Sequence, residues 1–350
     1  MNHSPGLHFG IIGAGDVAAW HAEGLQAEPQ VHLTAVSDEN PERLAAFASR
    51  FKIARTVPDW RDLLKDDRID VVLILAPHHL HNTMVTAALK ARKHVISEKP
   101  MARTVAECDT MLAEAAASSR SLFISQSLRT AFFHQTASQL IAEGRIGRPI
   151  LGSFRWFTDE INRLNDPLHW KGTLTAGGGV LLDGGCRVAD LANSFFGPAR
   201  RVAATAQRLI VALPGRGEDN GCFIAEYASG ATCSFALSFT AGKSFRKERS
   251  GAGLMADIYG TEGHIEGGYL VRDGECHHYC LLHYPGSDEL YFEPPEGFQE
   301  RMIDRDFVKT LLTGQPPPTT AMEARNAVAV VEAAYRSVRT GRIEDVDWRD

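Results

Sequence analysis

The amino-acid sequence predicts an α/β N-terminal domain with a doubly wound parallel sheet, followed by an α+β domain with a large, mostly antiparallel sheet. The first observation behind this prediction is that short apolar runs alternate with helical patterns over roughly the first 125 residues. The second is that longer runs with period-two alternation replace them after about residue 150. We place the domain boundary so that the two domains comprise residues 1–126 and 127–350.

Five apolar runs in the N-terminal region are strand candidates. Each is short, nearly continuous in apolar content and separated from the next by a helical pattern, as expected for parallel strands covered on both faces. The runs are LHFGII (7–12), HLTAVS (32–37), DVVLILA (70–76), HVIS (94–97) and SLFIS (121–125). One of the intervening helices begins near Thr104, which has Glu107 three residues later in the spacing of a capping box.

The C-terminal region contains the patterns of hairpins and of two closing helices. Alternating apolar residues at 223–227 and 231–239 flank Ser229 and Gly230, which predicts two antiparallel strands joined by a turn. A second hairpin is predicted around IYGTEGHIEGG. Apolar residues at helical spacing then predict helices near 300–313 and 321–339.

Charge and cysteine content narrow the class of protein. The 350 residues include 37 Lys and Arg against 43 Asp and Glu, a net charge of -6, so we expect neither a nucleic-acid nor a membrane partner. No run approaches the roughly 18 apolar residues that a membrane span needs, and the N-terminus does not resemble a signal peptide. The six cysteines lack the spacing of a disulfide framework, which favours reduced thiols in a cytoplasmic protein.

The first functional motif lies near the N-terminus. Gly13, Gly15 and Ala18 form the pattern G-x-G-x-x-G/A directly after a predicted strand and at the start of a helix. Glycines at the first two positions permit a tight turn and let a diphosphate approach the helix N-terminus. The pattern predicts a Rossmann domain that binds a dinucleotide, with Asp16 and Val17 among the cofactor contacts. The alternative is a purely structural glycine turn.

An acidic residue follows the second predicted strand. Asp38 lies a little over twenty residues past the glycines, where a carboxylate can accept hydrogen bonds from the ribose hydroxyls and repel a 2′-phosphate. Its position favours NAD over NADP as the cofactor. The alternative is that Asp38 only caps the helix that begins near Pro41.

Histidines follow the third long strand candidate. Pro77, His78 and His81 lie at the carboxyl end of that strand, where open α/β sheets bind ligands, and we predict that they contact the cofactor. With His79 they also suggest a metal site, but no carboxylate or cysteine lies near them in the sequence. A second cluster, CHHYCLLH (276–283), would place its ligands almost in a line along one strand. We therefore predict no metal.

The stretch EKP follows the fourth long strand candidate. Glu98 and Lys99 should lie in the crevice that holds the nicotinamide, so both are predicted to contact the cofactor. A lysine there can donate a hydrogen bond to a substrate hydroxyl and, if partly desolvated, take part in proton transfer. Pro100 restricts the backbone of Lys99 to extended conformations. The alternative is a solvated charge pair at the end of a strand.

The segment AGGGVLLDGGCRVADLANSFFG (176–197) places Asp183, Arg187 and Asp190 at i, i+4 and i+7, on one face of a helix. With this segment the chain resembles the Gfo/Idh/MocA family of NAD(P)-dependent oxidoreductases. The resemblance spans nearly the whole chain. It includes GIIGAGDVAAWHAEGL, EKP, SLR followed by LIAEGRIGRPILGSFRW, IYGTEGHIE and AVAVVEAAYRSVRTGR.

The resemblance implies oxidation or reduction of a sugar, inositol or sugar derivative with NAD. It also implies that the C-terminal domain forms the substrate pocket and the oligomer interface. An exposed face with apolar positions on the large predicted sheet favours a homodimer or homotetramer. In the family, the EKP lysine, here Lys99, contacts the reacting oxygen, and a D-x-x-x-H pair supplies an acid/base histidine supported by an aspartate. The aspartate is retained as Asp183, whereas Arg187 stands where the histidine is expected.

Arg187 leaves three interpretations open, because a guanidinium does not exchange its proton at neutral pH. It pairs with Asp183, or it binds an anionic group of the substrate, or it marks altered or lost chemistry. We predict Lys99 and Asp183 as catalytic residues and Arg187, His169 and Arg129 as substrate contacts. Two rival functions remain: a non-catalytic NAD-binding sensor, and an enzyme whose tightly bound NAD supports redox-neutral elimination or glycoside cleavage.

Overall fold

A computed structural model describes residues 6–211, 213–241, 253–272, 275–284, 286, 290–295 and 302–350. The chain forms two compact units. The first unit comprises Met1–Ala102, Ala106–Ser127 and Gln299–Ala321, and the second comprises Arg103–Val105, Leu128–Phe298 and Met322–Asp350. The predicted boundary between residues 126 and 127 stays a prediction. None of the described helices is long and apolar enough to cross a membrane.

The strands of the described residues belong to two sheets, one in each unit. In chain order they are β1 (Leu7–Ile12), β2 (Val31–Ser37), β3 (Arg55–Val57), β4 (Val71–Ile74), β5 (His94–Glu98), β6 (Leu122–Ser125), β7 (Pro149–Phe157), β8 (Ala199–Gln207), β9 (Asn220–Tyr227), β10 (Thr232–Ser238), β11 (Gly253–Gly260), β12 (His264–Arg272), β13 (Glu275–His283), β14 (Leu290–Phe292) and β15 (Glu344–Asp345).

The α-helices of the described residues pack around these sheets. In chain order they are α1 (Asp16–Gln26), α2 (Pro41–Phe51), α3 (Trp60–Leu64), α4 (His81–Lys90), α5 (Val105–Ser118), α6 (Phe132–Ala142), α7 (Ile161–Asn165), α8 (Val180–Asp183), α9 (Gly185–Phe196), α10 (Met302–Thr313) and α11 (Ala321–Thr340).

The sheet of the first unit has six parallel strands in the order β3-β2-β1-β4-β5-β6. This is the strand order of a Rossmann domain, and the predicted α/β fold class is confirmed. The five predicted strands all form. Edge strand β3 was not predicted, since its three residues, RTV, contain no apolar run.

Helix α10 belongs to the first unit although it lies far along the chain. Its residues Ile303 and Phe307 are fully buried in the apolar core that also contains Phe9 and Ile96. The ring of Phe307 stacks on that of Phe123 with the centroids 5.0 Å apart. Burying these side chains stabilises the packing of α10 beside α1 and β6.

The sheet of the second unit has nine strands in the order β14-β13-β12-β11-β7-β10-β9-β8-β15. Its pairs are antiparallel except that of β7 with β10, so the predicted mostly antiparallel sheet is confirmed. Both predicted hairpins form, as β9–β10 and β11–β12. One face is buried, with stacked rings of Phe154, Phe223 and Phe235, and alternate residues face outward.

Candidate active site

The glycine turn joins β1 to α1 in the first unit. Gly13 has φ +100°, and a Cβ there would lie 2.4 Å from the carbonyl oxygen of Leu75, so only glycine fits. Gly15 is the N-cap of α1 and is exposed, with no side-chain cap on the helix. A Cβ on Gly15 would meet nothing within 4 Å, so internal packing does not require glycine at that position. The predicted cofactor contacts Asp16 and Val17 are exposed in the first turn.

Asp38 lies directly beside this turn. Its carboxylate accepts hydrogen bonds from the backbone N–H groups of Ala14 and Asn40, each at 2.8 Å. The guanidinium of Arg43 lies 3.2 Å from the same carboxylate. Asn40 is the residue that caps α2, because its side chain accepts the N–H of Arg43. The alternative in which Asp38 is that cap is therefore wrong.

His78 and His81 follow β4, as predicted, and both are buried. The two ring nitrogens of His81 lie 2.8 Å from the carbonyl oxygens of Ala76 and Pro100. Burial lowers the pKa of His81, so its ring is neutral and donates one hydrogen bond at a time. His81 thus connects the loop after β4, which contains Pro77, with the EKP stretch.

The EKP stretch lies at the end of β5. Glu98 pairs with Ser125 of β6 as the last residue of its strand, and Lys99 follows it with a buried side chain. The peptide bond between Lys99 and Pro100 is cis. Because its side chain is buried, Lys99 is not a solvated surface lysine.

A buried histidine that no sequence motif indicated lies behind Glu98. His21 of α1 is fully buried, with Nδ1 2.7 Å from Oδ1 of Asp304 and Nε2 3.2 Å from Oε1 of Glu98. Burial opposes the charge, but the attraction and hydrogen bonds of the two carboxylates outweigh it and raise the pKa of His21 from 6.5 to about 10. In the sequence, the one sign of this buried histidine was its position among the apolar residues of α1.

In the second unit the predicted catalytic Asp183 forms an ion pair with a lysine that was not predicted. The Nζ of Lys171 lies 3.2 Å from Oδ2 of Asp183 and 2.9 Å from Oε1 of Glu160. It also lies 5.3 Å from the ring centroid of Phe239. Burial opposes the ammonium, yet the two carboxylates raise the pKa of Lys171. Asp183 is therefore held beside a permanent cation.

His169 and Arg187 lie in the same unit as Asp183. The ring nitrogen Nδ1 of His169 accepts the N–H of Lys171 at 3.2 Å, and burial with nearby cations lowers the pKa of His169. Arg187 is partly buried, and its guanidinium carbon lies 5.4 Å from the ring centroid of Trp156. An aromatic face stabilises a cation at this distance, so Trp156 helps to orient Arg187.

Arg129 occupies a buried ion pair. Its guanidinium donates to both oxygens of Asp190, at 2.6 and 3.1 Å, and lies 3.3 Å from Glu323. The predicted helix that contains Asp190 is divided at Gly184 into α8, which ends at Asp183, and α9. The two aspartates therefore pair with different cations. These contacts give Arg129 a structural role, and its predicted contact with substrate stays a prediction.

Comparison with known proteins decides the family. The profile of an oxidoreductase family with an NAD-binding Rossmann fold, Gfo/Idh/MocA, matches residues 7–126. The profile of the Gfo/Idh/MocA C-terminal domain matches residues 134–266. The chain belongs to the Gfo/Idh/MocA family. The predicted family, fold class and NAD-binding oxidoreductase function are therefore confirmed.

The chain is similar to named dehydrogenases over different shares of its length. The myo-inositol 2-dehydrogenase of Thermotoga maritima is 24% identical, over 97% of this chain and 99% of that protein. The levoglucosan dehydrogenase of Pseudarthrobacter phenanthrenivorans is 31% identical, over 59% of this chain and 56% of that protein. A structure of levoglucosan dehydrogenase in complex with NADH and levoglucosan matches with a TM-score of 0.87 at 23% identity, over 98% of this chain and 100% of that one. At that identity the structural match establishes a shared fold.

Proposed function

We propose that this protein is an NAD-dependent oxidoreductase that moves a hydride between nicotinamide and a carbinol or carbonyl carbon of a sugar, inositol or sugar-acid-like substrate. The observation that carries the proposal is that the glycine turn and the buried Lys99 belong to one Rossmann unit. The two relatives named above, which act on an inositol and on levoglucosan, support this substrate class.

The residues present fit a dinucleotide. Gly13 is required because the backbone of Leu75 passes close to it. Gly15 has open space around it, so its lack of a side chain is explained by a ligand that lies close to the backbone. Asp38 lies beside the turn and would accept hydrogen bonds from the ribose, which favours NAD over NADP. When bound, NAD supplies or accepts the hydride. The further proposed contacts are Asp16, Val17, Pro77, His78, His81, Glu98 and Lys99.

The side chains have separate parts in the proposed mechanism. Lys99 donates a hydrogen bond to the reacting oxygen and moves its proton during hydride transfer. Asp183, paired with Lys171, accepts a hydrogen bond from a substrate hydroxyl and orients the sugar ring. Arg187 binds an anionic group of the substrate if one is present, and His169 and Arg129 are further proposed substrate contacts.

The first experiment is a panel of sugars, inositols and sugar acids assayed with NAD and with NADP by nicotinamide absorbance. We expect turnover with at least one of them, and Lys99→Met should lower kcat about 10³-fold, as loss of an acid/base group does. Lys90→Met is the control, since that lysine is exposed on α4. Full activity of Lys99→Met would rule out the mechanism, and cofactor that copurifies without turnover would favour a sensor or a redox-neutral enzyme.

Arg187→His separates the interpretations of Arg187. If Arg187 binds an anion, the variant should shift the ratio of kcat/KM away from sugar acids and towards neutral sugars by about tenfold or more. Arg201→His, which changes an arginine of an exposed pair with Glu226, is the matched control. An unchanged ratio would leave Arg187 with a structural role beside Trp156.

The outer face of the second sheet supports a homodimer or homotetramer as part of the proposal. Leu151, Ile224 and Tyr259 expose between 38% and 50% of their surface on strands of that sheet. Apolar side chains on an open sheet favour association with a second copy. Light scattering on a size-exclusion column would measure the mass, and a monomer would contradict this part. The six cysteines, all free, support a cytoplasmic location.

A further inference from the structure

The strand end that presents Lys99 has limited backbone support. In the pairing of β4 with β5 the last partners are Ile74 and Ser97, so beyond Ser97 only β6 pairs with the strand, through Glu98 and Ser125. Lys99 follows the last paired residue. A feature that fixes Glu98 therefore also limits how far the backbone at Lys99 can move, because the two residues are adjacent.

His21 is a side chain that holds Glu98 in place. It is fully buried on α1 and lies between two carboxylates, that of Glu98 on β5 and that of Asp304 on α10. Each ring nitrogen is within hydrogen-bonding distance of one of these carboxylates, so a ring that satisfies both contacts donates twice and is an imidazolium. Asp304 and Glu98 are the charged groups that face this ring from α10 and β5.

The bridge joins parts of the chain that are distant in sequence. His21 and Asp304 are 283 positions apart, and His21 and Glu98 are 77 apart. The bridge connects the helix that follows the glycine turn, the strand that precedes the catalytic lysine, and α10. Packing of Phe307 already accounts for the apolar attachment of α10, so Asp304 adds a specific contact rather than general burial.

We propose that His21 is a positioning residue for Lys99: by bridging Asp304 and Glu98 it fixes the end of β5 from which Lys99 acts on the substrate. This inference rests on the proposed function, in which Lys99 is the proton-transferring group. The two ring nitrogens of His21 have different roles. The Nε2 contact holds Glu98, and the Nδ1 contact with Asp304 holds the ring.

Two amide variants distinguish the contributions of the two ring nitrogens. Gln places an amide N–H₂ near the position of Nε2, and Asn places one near that of Nδ1. We expect His21→Asn, which loses the donor to Glu98, to lower kcat about tenfold or more while the KM for NAD stays within about twofold. His21→Gln, which keeps that donor, should retain kcat within about threefold of wild type. The matched controls are His32→Asn and His32→Gln on β2, for which kcat should not change.

Thermal unfolding of each variant sets a temperature at which it is fully folded, and kinetics are measured there. A merely structural His21 predicts equal kcat for both folded variants, so equal values would overturn the positioning role. A fall in His21→Asn activity caused by weaker NAD binding, seen by titration, would overturn it as well. Rescue of kcat by His21→Gln relative to His21→Asn supports it.

Nitrogen NMR of the histidine rings tests the bridge without any turnover. We expect the His21 resonances to be those of an imidazolium at pH 8.5, where an ordinary histidine is neutral. A neutral His21 at that pH would overturn the bridge. If wild type turned over no substrate of the panel, the proposed function would fail and the positioning role with it, whereas the NMR result would still decide whether the bridge exists.

Discussion

Each unit holds a largely buried cation between two carboxylates, next to a residue with a proposed part in catalysis. In the first unit the cation is His21, between Asp304 and Glu98. In the second it is Lys171, between Glu160 and Asp183. The arrangement is the same, but the origin of the charge differs. An imidazole at neutral pH is charged only because its neighbours favour the proton, whereas an ammonium keeps its charge without them.

The two cations should therefore respond differently to a change of pH and to removal of a carboxylate partner. Around His21, pH and the removal of a carboxylate alter the protonation of the ring itself. Around Lys171 the charge remains, and removal of a partner leaves a buried cation with less compensation. Arg129, between Asp190 and Glu323, is a third case. Its guanidinium has a higher pKa than an ammonium, and we expect its removal to cost the most stability.

The largest effect is expected for Arg129→Met. The carboxylate of Asp190 is fully buried, so the variant leaves it without its cation, and we expect the free energy of unfolding to fall by about 4 kcal/mol. Urea unfolding followed by circular dichroism would measure it. The matched control is Arg201→Met, which removes an arginine from an exposed pair with Glu226 and should cost less than about 1 kcal/mol. Similar losses for both variants would contradict a special role for the buried pair.

The second effect is a pH-dependent stability that arises from His21 in the first unit. The pKa of His21 is raised from 6.5 to about 10, so its stabilisation is fully present below pH 6.5 and is lost as the pH rises through about 10. The free energy of unfolding of wild type relative to His21→Gln should therefore decrease by about 3 kcal/mol between pH 7 and pH 10. Urea titrations across that range would measure it, and a constant difference would show that His21 is neutral in the fold.

Much of the first unit could be predicted from local patterns. Short stretches of sequence were enough to predict the glycine turn, the strand before Lys99 and the acidic residue after β2. Their common location followed because parallel strands bring their carboxyl ends to one edge of the sheet. Edge strand β3 and the attachment of α10 could not be predicted. The contact of Phe307 with Phe123 depends on packing between segments far apart in the chain, which no short window contains.

The charge partners were the least predictable part of the site. Asp183 and Arg187 stand at i and i+4, so sequence spacing suggested each as a partner of the other, but it gave no sign that Lys171 also forms an ion pair with Asp183. Lys171 lies in the irregular segment PLHWKG, where periodicity gives no direction for a side chain. His21 needed Asp304, 283 positions away. Pairing of buried charges is set by tertiary packing, and a single sequence does not encode it locally.

The third effect is a change in kcat when Lys171 of the second unit is replaced. Lys171→Met removes the cation beside Asp183, and we expect kcat to fall about 10²-fold, or about 2.7 kcal/mol in the barrier. Lys171→Arg keeps a permanent charge and should recover part of the loss. If Asp183 and Lys171 act as a unit, Lys171→Met combined with Asp183→Asn should be no worse than Asp183→Asn alone. Strictly additive losses in the double variant would show that the two residues act independently.

The smallest effect is expected where the ion pair is exposed. Asp38 lies 3.2 Å from Arg43, whose side chain is 54% exposed, so solvent screens this pair far more than the buried ones. Asp38→Ala removes the charge that repels a 2′-phosphate and leaves Arg43 to attract one. We expect the ratio of kcat/KM for NADP to that for NAD to rise about tenfold, equivalent to about 1.4 kcal/mol. The double variant Asp38→Ala with Arg43→Ala should lose most of that gain, and an unchanged ratio in the single variant would remove Asp38 from the proposed cofactor site.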